Sequence, residues 1–126
     1  MSKKVLMDAF FNQFSAFLKE LTQLYPEDAD FPIFQSSLGL LKTTNPMLVV
    51  RIVKDEVLSK YGDKIKAKDE SFFMSHSYED HKGDVDLDIV HKLKGYISGM
   101  SPSTKEAVWK YIEILTQLCE RILQIS

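Results

Sequence analysis

The residue types able to do chemistry in this chain gather in one stretch, KDESFFMSHSYEDHKGD, residues 68–84. His76, Asp80 and His81 fall within six residues, and a loop can bring Asp84 beside them, so nitrogen and oxygen donors for a divalent ion are at hand. Their spacing matches no closed zinc pattern, and the one cysteine, Cys119, is remote in sequence. A solvated polar loop is the better reading, and no metal ion is assigned. The run DVDLD, residues 84–88, resembles the first ligands of a calcium-binding EF-hand loop. It fails at the sixth position, where Ile89 stands in place of the glycine of the sharp turn, and at the twelfth, where Gly95 replaces a bidentate Glu. Those aspartates read more simply as helix caps.

Nucleophilic catalysis has no better footing. Ser, His and Asp occur together in SFFMSHSYED, but residues so close in sequence seldom form a relay. Carboxylate pairs such as Asp55-Glu56 and Glu27-Asp28 suit a solvated helix surface or a cap. Cys119 sits inside a helical apolar pattern, the place of a small buried hydrophobe and not of an activated thiol. Glycine-rich phosphate loops, a G-x-S-x-G elbow and H-E-x-x-H are absent from the sequence. No catalytic residue and no cofactor is therefore expected.

Two binding chemistries remain. Lys60, Lys64, Lys66 and Lys68 lie close together in KYGDKIKAK and form a nucleic-acid candidate, diluted by Asp63, Asp69 and Glu70. A lysine-rich helix end explains them as well, because cations suit the negative end of a helix. The second chemistry is apolar. Burying one Phe is worth about 1.5–3 kcal/mol, so Phe72, Phe73 and Met74 either plug the open end of a helical core or anchor a protein partner. Trp109, off the centre of its helix's apolar stripe, is a candidate for the edge of the same surface, whereas Tyr111 follows the stripe.

The elements that must position these residues read as helices almost throughout. Phe10, Phe14, Phe17, Leu21 and Leu24 recur every three or four residues between Lys4 and Tyr25, with Met7, Phe11, Leu18 and Tyr25 widening the stripe; Pro26 ends it. A second helix opens at Asp28 or Asp30, with Ile33, Phe34, Leu38 and Leu41 inward, and closes near Thr43-Thr44. The third has Asn45 as N-cap, Pro46 in its first turn and Gly62 as candidate C-cap, burying Leu48, Val49, Ile52, Val53, Val57 and Tyr61. A fourth runs from Asp84–Asp88 to Gly99 with Val90, Leu93 and Ile97 inward. The last starts at Ser101-Pro102, or at a capping box from Ser103 to Glu106, and carries Val108, Tyr111, Ile112, Leu115, Leu118, Cys119, Ile122 and Ile125 on its apolar face. The expected fold is all-α, a single-domain bundle of about five main helices over residues 1–126, with the long terminal helices packed together.

Composition agrees with that class. Of the 126 residues, 44% are hydrophobic and 27% charged, the profile of a folded globular chain. Sixteen Lys and Arg against 18 Asp and Glu leave a net charge of −2, so no global positive field draws in nucleic acid. Asp8 and Asn12 interrupt the start before a signal-peptide core can form, and no apolar run reaches the roughly 20 residues of a membrane span. An intracellular protein without membrane insertion is expected.

The order FFNQFSAFLKEL, LYPEDADFPIFQSSLGLLKTTNP, KDESFFMSHSYED and VWKYIEILTQLCERI resembles a family of small, uncharacterised helical proteins encoded by large DNA viruses of algae and protists. The resemblance spans nearly the whole chain, with acid-acid-x-Phe-Phe and Trp-x-Tyr as its distinctive marks. It implies residence in an infected cell or a virion and transfers no activity or catalytic residue. The expectation is a non-enzymatic interaction or structural module that binds a protein, or a second copy of itself, through Phe72, Phe73, Met74 and Trp109. The alternative is a nucleic-acid-associated accessory protein using the lysine cluster.

Overall fold

A computed structural model describes residues 2–67, 95–97 and 99–125. Helix α1 spans Lys3–Leu24. Ser2 caps it, its Oγ accepting the Val5 N–H at 3.2 Å. Its C-terminus falls where Pro26 excludes helical geometry from the preceding residue, and Tyr25 is the C-cap at φ −127° and ψ 67°. Helix α2 spans Asp30–Thr44. Its N-cap position is Ala29, which offers no side-chain oxygen; Asp28, one residue outside, accepts the Asp30 N–H through Oδ1 at 3.0 Å.

Helix α3, Pro46–Val53, follows after a single residue, with Pro46 in its first turn as the sequence suggested. Asn45 holds the N-cap position, but its side chain makes no capping bond. The β-branched run Val49-Val50 to Ile52-Val53 is helical because the buried Val49, Val50 and Val53 follow helical spacing. A π-helical turn, Lys54–Leu58, joins α3 to α4, Ser59–Lys66; the Ser59 N–H reaches back five residues to the Lys54 carbonyl. Gly62 is thus not a C-cap. It lies inside α4, and the helix runs on until Ala67. Helix α5, Pro102–Gln124, begins at Ser101, whose Oγ accepts the Thr104 N–H at 3.3 Å, so the Ser103 alternative is not used.

Of the expected fourth helix, residues 95–97 and 99 are described and helical, with Ile97 buried; Val90 and Leu93 lie outside the described residues. The fold class is all-α, and no strand occurs among the described residues. The two terminal helices form the most extensive pairing, followed by α1 with α2. Phe17 of α1 stacks on Tyr111 of α5 with centroids 5.2 Å apart and planes at 17°. Phe10, Leu18 and Leu21 of α1, Phe31 of α2, Val50 of α3 and Cys119 and Ile122 of α5 fill the centre of one core. Thr116 is buried among them, and its hydroxyl is held by the Ile112 and Glu113 carbonyls at 3.0 and 2.9 Å.

Four expected core residues stand outside it. Leu24, Ile33, Leu48 and Ile125 are 43%, 58%, 37% and 49% exposed. Leu24 and Ile125 close their helices, where no neighbouring turn covers them. Ile33 is misplaced because α2 is apolar on two faces, and α1 takes the face of Phe31 and Leu38. Phe31 and Val50, absent from the expected stripes, are fully buried. The Tyr61 side chain lies outside the described residues.

Candidate functional site

Three of the four residues expected to bind a partner, Phe72, Phe73 and Met74, lie outside the described residues, as do His76, Asp80, His81 and Asp84. Among the described residues no group of three or more His, Cys, Asp or Glu is placed to hold a metal ion. Trp109 is described. It is half-buried and packs against the core.

Cys119 is fully buried, its Sγ 3.4 Å from the Val50 carbonyl oxygen that accepts its weak hydrogen bond. Burial, reinforced by the nearby Glu120 carboxylate, pushes the thiol from 9.0 up to about 11. A thiol held neutral at that level and closed to solvent cannot act as a nucleophile at neutral pH, in line with its reading as a core residue.

Two of the four lysines in the cluster, Lys60 and Lys66, are paired with the chain's own acids. Lys60 bonds Glu56 one turn back at 2.9 Å, and Lys66 crosses from α4 to Glu120 of α5 at 2.7 Å. The hydrogen bond to Glu120, and then its charge, raise the Lys66 ammonium above 10.5. The Lys64 side chain and all of Lys68 lie outside the described residues. The Lys66–Glu120 pair sits at the rim of a polar recess of about 170 Å³, lined by Leu58, Gly62, Ile65, Thr116 and Gln117 among others.

Sequence patterning missed two other features. The first is the outer face of α2. Ile33 and Leu40 are 58% and 65% exposed and lie seven residues, or two turns, apart on the same side. Ser36 and Ser37 stand exposed between them, and the Thr43 and Thr44 hydroxyls beyond are both turned onto the Leu40 carbonyl at 2.9 Å. The signal was present in the sequence: from Phe31 to Leu41 the chain carries no charged residue. The second is an open cleft of about 460 Å³ between the first turns of α1 and the corner joining α2 to α3. Met7, Phe11, Pro46 and Met47 form its apolar surface, while Lys3, Lys4, Lys42 and Asp8 supply its charges.

No family model matches this chain, and no curated protein and no solved structure is significantly similar to it. The functional reading therefore rests on the geometry. Among the described residues no helix is long and apolar enough to cross a membrane. The exposed face of α2 presents apolar side chains two turns apart, with small residues between them and no charged residue from Phe31 to Leu41.

Proposed function

We propose that the chain is a non-enzymatic helical module that binds another protein, or a second copy of itself, through exposed apolar surface, with the outer face of α2 as the principal contact. The observation that carries this reading is the pair Ile33 and Leu40, 58% and 65% exposed on a helix uncharged from Phe31 to Leu41. Covering the exposed part of such side chains is worth roughly 1–2 kcal/mol each, a gain the isolated chain forgoes and a partner helix collects. Ser36 and Ser37 between them let a second backbone approach closely. Phe72, Phe73, Met74 and the half-buried Trp109 belong to the same reading on sequence grounds.

The nucleic-acid alternative through Lys60, Lys64, Lys66 and Lys68 loses support from the pairing of Lys60 with Glu56 and Lys66 with Glu120, which lowers the field available to a phosphate. The resemblance to viral helical proteins adds a setting, the infected cell or the virion. Salt separates the two readings. Partners recovered on the tagged chain are expected to persist from 0.1 to about 0.5 M salt and after nuclease treatment, because an apolar interface responds little to ionic strength. Loss of the bound material over that range would favour phosphate contacts, which weaken steeply with salt.

A further inference from the structure

The cleft at the head of α1 combines three observations. Its two walls are alike in kind: α1 supplies Met7 and Phe11 with Lys3 and Lys4, and the α2–α3 corner supplies Met47 and Pro46 with Lys42. Phe11 is buried, and Met7, Pro46 and Met47 are half-buried, so an apolar surface lies between the lysines. The lysines are also unengaged. Lys3, Lys4 and Lys42 are exposed and form no salt bridge among the described residues, unlike Lys60 and Lys66.

The placement of Lys3 and Lys4 runs against local helix electrostatics. The first turn of α1 carries no acid, and both lysines stand at the positive end of the helix dipole, where carboxylates stabilise and cations do not. Their charge therefore adds to that of the helix end, with Asp8 the one acid lining the cleft among the described residues. Such conflicts with local preference are expected at functional positions.

We infer that this cleft binds an acidic peptide segment of another protein, one that sets an apolar anchor between Met7 and Met47 and its carboxylates against Lys3, Lys4 and Lys42. Charge complementarity selects the acid, and the apolar surface selects the anchor. Flexible thioethers on both walls adapt to anchors of different shape. The concavity favours a peptide over an anionic membrane, since a chain segment enters between two walls whereas a flat surface meets only their tips. The inference is independent of the α2 face, because Ile33 and Leu40 do not line the cleft.

The test uses the full chain with 13C-methyl methionine and pools of acidic dodecapeptides, each carrying one apolar residue among Asp and Glu. Met7 and Met47 methyl resonances are expected to shift, with Met100 as the internal control. A Lys3→Gln, Lys4→Gln, Lys42→Gln variant, checked for unchanged circular dichroism, is expected to bind at least tenfold more weakly. Asp8→Asn, which removes the one opposing carboxylate, is expected to bind several-fold more tightly. The inference is overturned if the acidic pools leave Met7 and Met47 unmoved, or if pools with Asn and Gln in place of the acids shift them equally. It is also overturned if phosphatidylserine vesicles move them and no peptide pool does. Ile33→Glu with Leu40→Glu is expected to leave this binding intact, so the cleft and the α2 face stand or fall separately.

Discussion

At the scale of single residues, the chemistry of the core is set by burial. Cys119 donates to the Val50 carbonyl in a closed environment, and its thiol is pushed up to about 11. A thiol reagent should leave Cys119 unmodified in the native chain and label it fully in denaturant; rapid native labelling would contradict the packing. The same shift makes stability depend on pH. The unfolded chain releases this proton near 9.0 and the folded chain near 11, so between those values the folded state binds more protons than the unfolded one. Stability should then fall as pH rises across that window, by on the order of 1 kcal/mol per pH unit. Tyr25 and Tyr111, both raised above 10.0 chiefly by burial, act in the same direction at the upper end. Urea midpoints from pH 8 to 11 check this: Cys119→Ala should flatten the slope, and an unchanged slope would assign the effect elsewhere.

A second residue-scale prediction concerns Tyr96. Its hydroxyl donates to Asp28 Oδ2 at 2.6 Å and its ring stacks on Tyr25 at 3.8 Å, which ties the helical residues 95–97 to the turn between α1 and α2. Tyr96→Phe keeps the stack and removes the hydrogen bond, at an expected cost of about 1–2 kcal/mol in urea unfolding. Asp28→Asn should cost less, because the amide oxygen still accepts; equal losses would mean that the carboxylate charge is what matters. Neither contact was legible in the sequence, because Asp28 and Tyr96 are 68 residues apart and share no pattern. The engagement of Lys66 by Glu120, 54 residues away, was hidden for the same reason.

At the scale of elements, boundaries that depend on local backbone chemistry were legible. Pro26 ends α1, Pro46 stands in the first turn of α3, and Ser101-Pro102 opens α5, each by a rule that involves only adjacent residues. The junction at Lys54–Leu58 was not, because no residue type there marks the switch from four-residue to five-residue hydrogen bonds. Gly62 reads as a terminator on glycine's C-cap preference alone, yet the helix runs through it. As an interior helical residue it should be improvable: a Cβ there meets Leu58 Cδ1 at 3.3 Å, and that is the free end of a flexible side chain. Gly62→Ala is expected to stabilise by about 0.5–1 kcal/mol through the lower entropy of the unfolded chain. A loss instead would mean that Leu58 is pinned by the π turn and cannot yield.

At the scale of the whole molecule, the all-α class and the pairing of the terminal helices followed from two long apolar stripes, one rich in Phe and Leu and the other in Ile and Leu, visible in the sequence because each repeats every three or four residues. Surface function was less legible. Pattern reading sorts apolar residues inward by default, which places Ile33 in the core and does not single out Leu40, yet both are exposed. What distinguishes them is exposure: among the described residues α1 and α3 pack on α2, yet Ile33 and Leu40 remain largely exposed. The lysines divide in the same way: Lys60 and Lys66 pair with the fold's own acids, while Lys3, Lys4 and Lys42, around an apolar cleft, form no salt bridge among the described residues. Together these features describe a small helical scaffold with two outward-facing surfaces, one apolar and one basic, which the proposed readings assign to binding.

The most direct measurement is affinity capture of the tagged chain beside an Ile33→Glu, Leu40→Glu variant. Exposed substitutions should change stability by no more than about 0.5 kcal/mol, so matching circular dichroism and urea midpoints are expected for the pair. The account predicts that a protein partner, or a second copy of the chain, is recovered with the wild type and lost from the folded variant. Recovery of the same partners at the same yield by both chains would contradict it, and the outer face of α2 would then be solvent-facing surface with no binding role.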